Sequence, residues 1–111
     1  MTQFRQGDVL LVRIPETLVR QGRQRLRIDE RARVDGRLIL AYGEATGHAH
    51  AIDSPTAALL DATDGRRFLR TTEQSRLIHE EHDAIVLEAG WYEVIRQREY
   101  EPGLPFVDVQ D

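Results

Sequence analysis

The stretch Ser54-Pro55-Thr56-Ala57-Ala58-Leu59-Leu60-Asp61, followed by Asp64-Gly65 and then Phe68-Leu69-Arg70-Thr71, decides how the chain is read. Ser before Pro is a helix-start signal, with Ser at the N-cap and Pro at the first helical position. Against it, Asp-Gly between two short apolar runs is the signature of a β-hairpin turn. The hairpin is preferred for residues 57–60 and 68–71, and a helix over residues 55–61 stays open as the alternative.

The same grammar extends in both directions. Gly7-Asp8 opens a branched apolar run over residues 9–14 that Pro15 closes, and branched residues pack well on a pleated surface. Residues 24–28 alternate arginine with Leu26 and Ile28, and Asp35-Gly36 then gives a hairpin-type turn into residues 37–42. Further strands are read at residues 46–52, with Gly43 and Gly47 permitting a bend or bulge, and at 75–78, 84–87 and 91–98, with a possible edge strand at 106–109. About eight or nine short antiparallel strands predict an all-β domain, a small barrel or a two-sheet roll, formed by residues 1–111 as one unit. The 111 residues leave no room for a second core.

Composition narrows the function. The chain has no cysteine, which excludes disulfides, thiolate zinc sites, iron–sulfur clusters and a cysteine nucleophile. No segment has the length of a membrane span, and the N-terminus lacks the apolar run of a secretory leader, so the expected location is the cytoplasm. All 15 basic residues are arginine, and the net charge is −4. The sign is uneven: residues 1–37 hold nine arginines against five acids, and residues 38–111 hold six against fourteen. The run Arg20, Arg23, Arg25, Arg27, Arg31 and Arg33 is a candidate phosphate contact, but in a mixed-sign setting a solvated face is the preferred reading and nucleic acid is not the expected partner. No lysine-bearing phosphate loop and no nucleophile elbow occur.

The four histidines form two tight pairs, His48-Ala49-His50 and His79-Glu80-Glu81-His82, an arrangement that random placement gives roughly once in a hundred sequences. In a strand, residues i and i+2 share a face, so His48 and His50 present adjacent imidazoles. The i, i+3 spacing of His79 and His82 needs a turn to bring the rings together. Glu80 or Glu81 then offers an oxygen ligand, or a general base beside a metal-bound water. HEEH matches neither HExxH nor HxxEH, which excludes a zincin. The expected site therefore joins His48, His50, His79 and His82 around one divalent ion, Zn, Fe, Mn or Ni, with Glu81 and Glu80 as the candidate catalytic groups.

The Gly47-His48-Ala49-His50 motif, with further histidine downstream in a small β-domain, resembles the cupin superfamily, whose metal sites use an HxH strand, a later glutamate and a later histidine. Tyr42 stands where that family usually has glycine, and Asp53 is the nearest acid after the histidine pair. The block from Leu77 to Leu87, with Gly90-Trp91-Tyr92-Glu93-Val94 and Gln97-Arg98-Glu99-Tyr100, looks like a family of small bacterial and phage-type proteins that brings no activity with it. The resemblances imply a cupin-like metal-binding protein, with a metal-dependent small-molecule enzyme as one form of it; a homo-oligomer is expected instead from size, because a domain this small gains stability from a partner subunit. The rivals are a phage or mobile-element module with a structural metal, and an arginine-rich accessory protein that contacts nucleic acid.

Overall fold

The computed structural model describes residues 2–22, 25–42 and 48–96. They form eleven strands, one short helix and one 3-10 turn. The strands are β1 (Gln3–Gln6), β2 (Val9–Ile14), β3 (Leu26–Ile28), β4 (Arg33–Val34), β5 (Arg37–Tyr42), β6 (Ala49–Ile52), β7 (Ala58–Ala62), β8 (Arg67–Thr71), β9 (Ser75–Ile78), β10 (Ile85–Leu87) and β11 (Gly90–Arg96). One antiparallel sheet has the order β1-β2-β11-β8-β7-β3 and the other β10-β9-β6-β5-β4. The all-β class and the two-sheet alternative hold. Among the described residues the sheets are not closed into a barrel, because closure requires edge strands to bond across a seam. Three of the four edges, β3, β4 and β10, are only three, two and three residues long.

The hairpin over 57–71 forms as read. Leu59 pairs with Leu69 and Leu60 with Phe68. Leu59 lies in the inter-sheet core and Leu60 is buried outside that cluster, so both faces of β7 are covered and the run loses visible alternation. Ser54 Oγ does accept from Thr56 N–H at 3.2 Å, but it also donates to Glu73 Oε1 at 2.8 Å. That tie holds the Ser54-Pro55 segment as a turn into β7 rather than as a helix cap.

Asp35 and Gly36 have φ of +51° and +80°, the pairing of positive values that a two-residue hairpin turn requires. The turn joins β5 to the two-residue β4, whereas β3 pairs with β7 in the other sheet. The sequence reading missed β1, which pairs with β2 through Gly7-Asp8, with Gly7 at φ +59°. It also missed the helix α1 (Glu16–Gln21), which follows Pro15 and buries no residue. The bend expected at Gly43 and Gly47, the end of the 91–98 strand, Gln97 to Tyr100 and the 106–109 strand lie outside the described residues.

The core between the sheets contains Val9 and Leu11 of β2, Leu38, Leu40 and Ala41 of β5, Ile52 of β6, Leu69, Leu77, Leu87 and Tyr92. Register shifts between Ile39 and Ala41 opposite β6, so a bulge lets Leu40 and Ala41 both bury. Ala41 pairs with His50, which seats that histidine at the margin of this core.

Candidate metal centre

The site is built where the β1–β2 turn of one sheet meets the start of β6 and the end of β9 in the other. His48 immediately precedes β6, and His50 lies within it. His79 follows β9, and His82 sits in the connection to β10. Because Ile85 pairs back onto Leu77, the chain must reverse over residues 79–84, and this reversal brings the i, i+3 pair to one side. The ring centroids of His79 and His82 are 4.6 Å apart. Those of His50 and His79 are 4.3 Å apart, His48 and His79 5.7 Å, and His50 and His82 6.0 Å. All four imidazoles thus occupy one neighbourhood.

Their nitrogens do not point alike. His50 is fully buried. Its Nδ1 is 2.9 Å from Gln6 Oε1, and its Nε2 is 3.2 Å from Asp8 Oδ1. The Gln6 amide nitrogen donates to Leu77 O at 3.1 Å and Asp83 O at 2.9 Å, which fixes Oε1 as the acceptor and makes His50 Nδ1 a donor. Nε2 faces the Asp8 carboxylate at ion-pair distance. The Arg96 guanidinium, 3.1 Å from Asp8 Oδ2, holds the other oxygen of that carboxylate. Both nitrogens of His50 thus face groups of the β1–β2 turn.

His48 and His79 are half-buried and Glu80 is exposed, and one ligating atom from each can be chosen so that all lie within 4.8 Å of one another. His48 Nδ1 is 2.7 Å from Glu81 Oε1. A nitrogen lone pair at that distance from a carboxylate oxygen would be repelled, so Nδ1 carries the proton and Nε2 is left as a donor atom. A carboxylate that fixes the tautomer of a ligand histidine is a recurrent second partner at metal sites. His79 Nδ1 accepts from the Glu81 backbone N–H at 3.0 Å. Glu80 Oε2 accepts from Ala49 N–H at 3.2 Å, and Glu80 Oε1 is 4.0 Å from Arg37. Hydrogen bonding from its own backbone N–H first, and then from Ala49 with His48 and His79 nearby, holds the Glu80 carboxyl below its ordinary value against the cost of desolvation.

Gln6, Asp8, Arg96 and Arg37 did not stand out in the sequence as parts of this site. Gln6 reaches His50 across 44 positions of chain, and only the pairing of the β1–β2 hairpin next to the second sheet makes that contact. The arginine run does not act as one block. Arg20 pairs with Glu16 at 2.9 Å, and Arg33 donates to Ser54 O at 2.9 Å and to Ala57 O at 2.5 Å. Arg25, Arg27 and Arg31 are exposed, and Arg23 lies outside the described residues. No helix among the described residues is long and apolar enough to cross a membrane.

Residues 5–97 match a family described as Domain of unknown function (DUF8820). The chain belongs to that family. The match runs from the second half of β1 through the whole of β11 and so takes in strands of both sheets and every residue of the histidine cluster. No curated protein matches the chain, and no solved structure matches it.

Proposed function

We propose that this DUF8820 domain binds one divalent metal ion through His48, His79 and Glu80, with Glu81 holding the His48 tautomer and His82 beside the ion. The observation that carries the reading is the approach of three ligating atoms to within 4.8 Å of one another on an accessible surface. Ligands about 2.0–2.2 Å from a metal stand about 3.3 Å apart, so the side chains close by about an ångström or more on binding, and His79 gives up the hydrogen bond that its Nδ1 accepts from the Glu81 backbone N–H so that a ring lone pair can face the ion. Two imidazoles and a carboxylate suit Zn or Fe(II) and leave open coordination positions for water or a small-molecule ligand. Within this reading, His50 is a buried support, because its nitrogens are committed to Gln6 and Asp8.

The test is metal stoichiometry of untagged protein after equilibration with Zn or Fe(II), for the wild type and single variants. One ion per chain, lost in His79→Ala and in Glu80→Gln and retained in His82→Ala, is expected. Retention in both of the first two variants, or no binding by the wild type, overturns the proposal. Loss in His82→Ala together with a collapse of thermal stability moves the reading to a closed structural ion, the non-catalytic alternative.

A further inference from the structure

One buried amide touches both segments that supply the candidate ligands. Gln6 is the last residue of β1 and is 3% exposed. Its Nε2 donates to Leu77 O at 3.1 Å and to Asp83 O at 2.9 Å, and its Oε1 is 2.9 Å from His50 Nδ1. Leu77 stands two residues before His79 and Asp83 directly follows His82, so the two donated bonds bracket the whole His79-Glu80-Glu81-His82 turn. The third contact ties that turn to His50 of β6, two residues beyond His48. Both amide N–H donors are used, and the oxygen faces a ring N–H.

The turn needs such a tie. Ladder pairing of β9 with β10 begins only at Leu77 opposite Ile85, so residues 79–84 leave the sheet. A loop fixed in advance spares ligand binding the entropy that ordering it would cost. Groups that orient metal-binding side chains from behind are therefore felt in the affinity, typically by about 10- to 100-fold.

We propose that Gln6 is the positioning residue of the metal centre: its amide fixes the His79-to-His82 turn against β6 before an ion arrives, and so sets the affinity. The inference rests on the ligand set His48, His79 and Glu80 proposed above. Gln6 acts through the two carbonyls at the ends of the turn and through His50, whose ring centroid is 4.3 Å from that of His79. The ends are held, and the four residues between them keep the travel of about an ångström that closing on the ion requires.

The test uses the full chain and Zn. Gln6→Met keeps the side-chain volume and removes all three contacts. Leu69→Ala, in the inter-sheet core, is the control that lowers stability from within the six-stranded sheet. Zn affinity is measured by competition with a chelating dye, and hydrogen exchange of the amides of residues 79–84 is followed with chelator present. Gln6→Met should bind Zn about ten-fold more weakly or worse and should exchange faster across residues 79–84 than the wild type does, while Leu69→Ala keeps the wild-type affinity. Gln6→Asn, whose amide is one methylene shorter, gives the same reading if Gln6→Met does not fold. Wild-type affinity in the folded Gln6 variant, or unchanged exchange over residues 79–84, overturns the inference and leaves the metal reading standing. An equal loss of affinity in Leu69→Ala does the same, because the effect would then be one of general loosening. A wild type that takes up no Zn overturns the metal reading first and this inference with it.

Discussion

His79 lies against His50 with ring centroids 4.3 Å apart and planes inclined at 37°, yet only His50 is sealed from solvent. The two rings look equivalent in the sequence, but they stand in different chemical situations. His50 is hydrogen-bonded through Nδ1 to Gln6 and faces the Asp8 carboxylate with Nε2 inside the core margin, whereas His79 stands at the surface with its Nδ1 on a backbone amide.

Removing each ring should therefore separate stability from metal binding. His50→Ala orphans Gln6 Oε1 and takes away the ring that faces the buried Asp8 Oδ1, which should cost about 3 kcal/mol. His79→Ala should cost less than about 1 kcal/mol, because a half-exposed side chain leaves few buried groups unpaired, while it abolishes the proposed ion. Urea unfolding of both variants, run beside metal analysis, checks the contrast. Equal destabilisation would contradict the division of roles.

Asp8 is 1% exposed and is bonded on one oxygen to Arg96 at 3.1 Å, with the His50 ring on the other. Asp8→Asn keeps the shape and removes the charge that the Arg96 guanidinium faces, and breaking a buried pair from one side costs about 3 kcal/mol. Arg96→Met, whose guanidinium is partly exposed, should cost less. Thermal or urea denaturation of the two variants tests the order, and a milder effect of Asp8→Asn would sink the buried-network account.

Stability should fall in acid partly through Asp53. Burial alone would raise its carboxyl, but the Arg76 side-chain and backbone hydrogen bonds outweigh this and hold it below its ordinary value of 3.8. A depressed folded-state value means that the contribution is fully present above the unfolded value and is lost as pH falls through the folded one. Urea midpoints measured between about pH 5 and pH 2 should drop less steeply for Asp53→Asn than for the wild type. Parallel curves would show that Asp53 contributes nothing to the acid limb.

Gly36→Ala and Leu77→Ala probe turn and core separately. Gly36 has φ +80° with open space where a Cβ would stand, so the cost is conformational alone, about 1 kcal/mol. Leu77 is fully buried in the inter-sheet core, and its truncation should cost about 3 kcal/mol. Chemical denaturation gives both numbers, and a larger loss at Gly36 than at Leu77 would contradict the packing described.

The chain's own residues determined what is local. Asp35-Gly36 and Asp64-Gly65 specify reversals within a few positions, and branched apolar runs specify strands beside them, because turn dihedrals and pleated packing depend on near neighbours. The two histidine pairs were legible for the same reason, as was the need for a reversal between His79 and His82. Tertiary structure alone decided the rest. It sent β3 to β7 rather than to β5, left the sheets open, and folded the β1–β2 turn so that Gln6 and Asp8 claim both nitrogens of His50. Those outcomes depend on which distant surfaces bury against one another. A sequence pattern shows which residues can be ligands; the direction of each lone pair follows only from the oxygens that long-range packing sets around the ring.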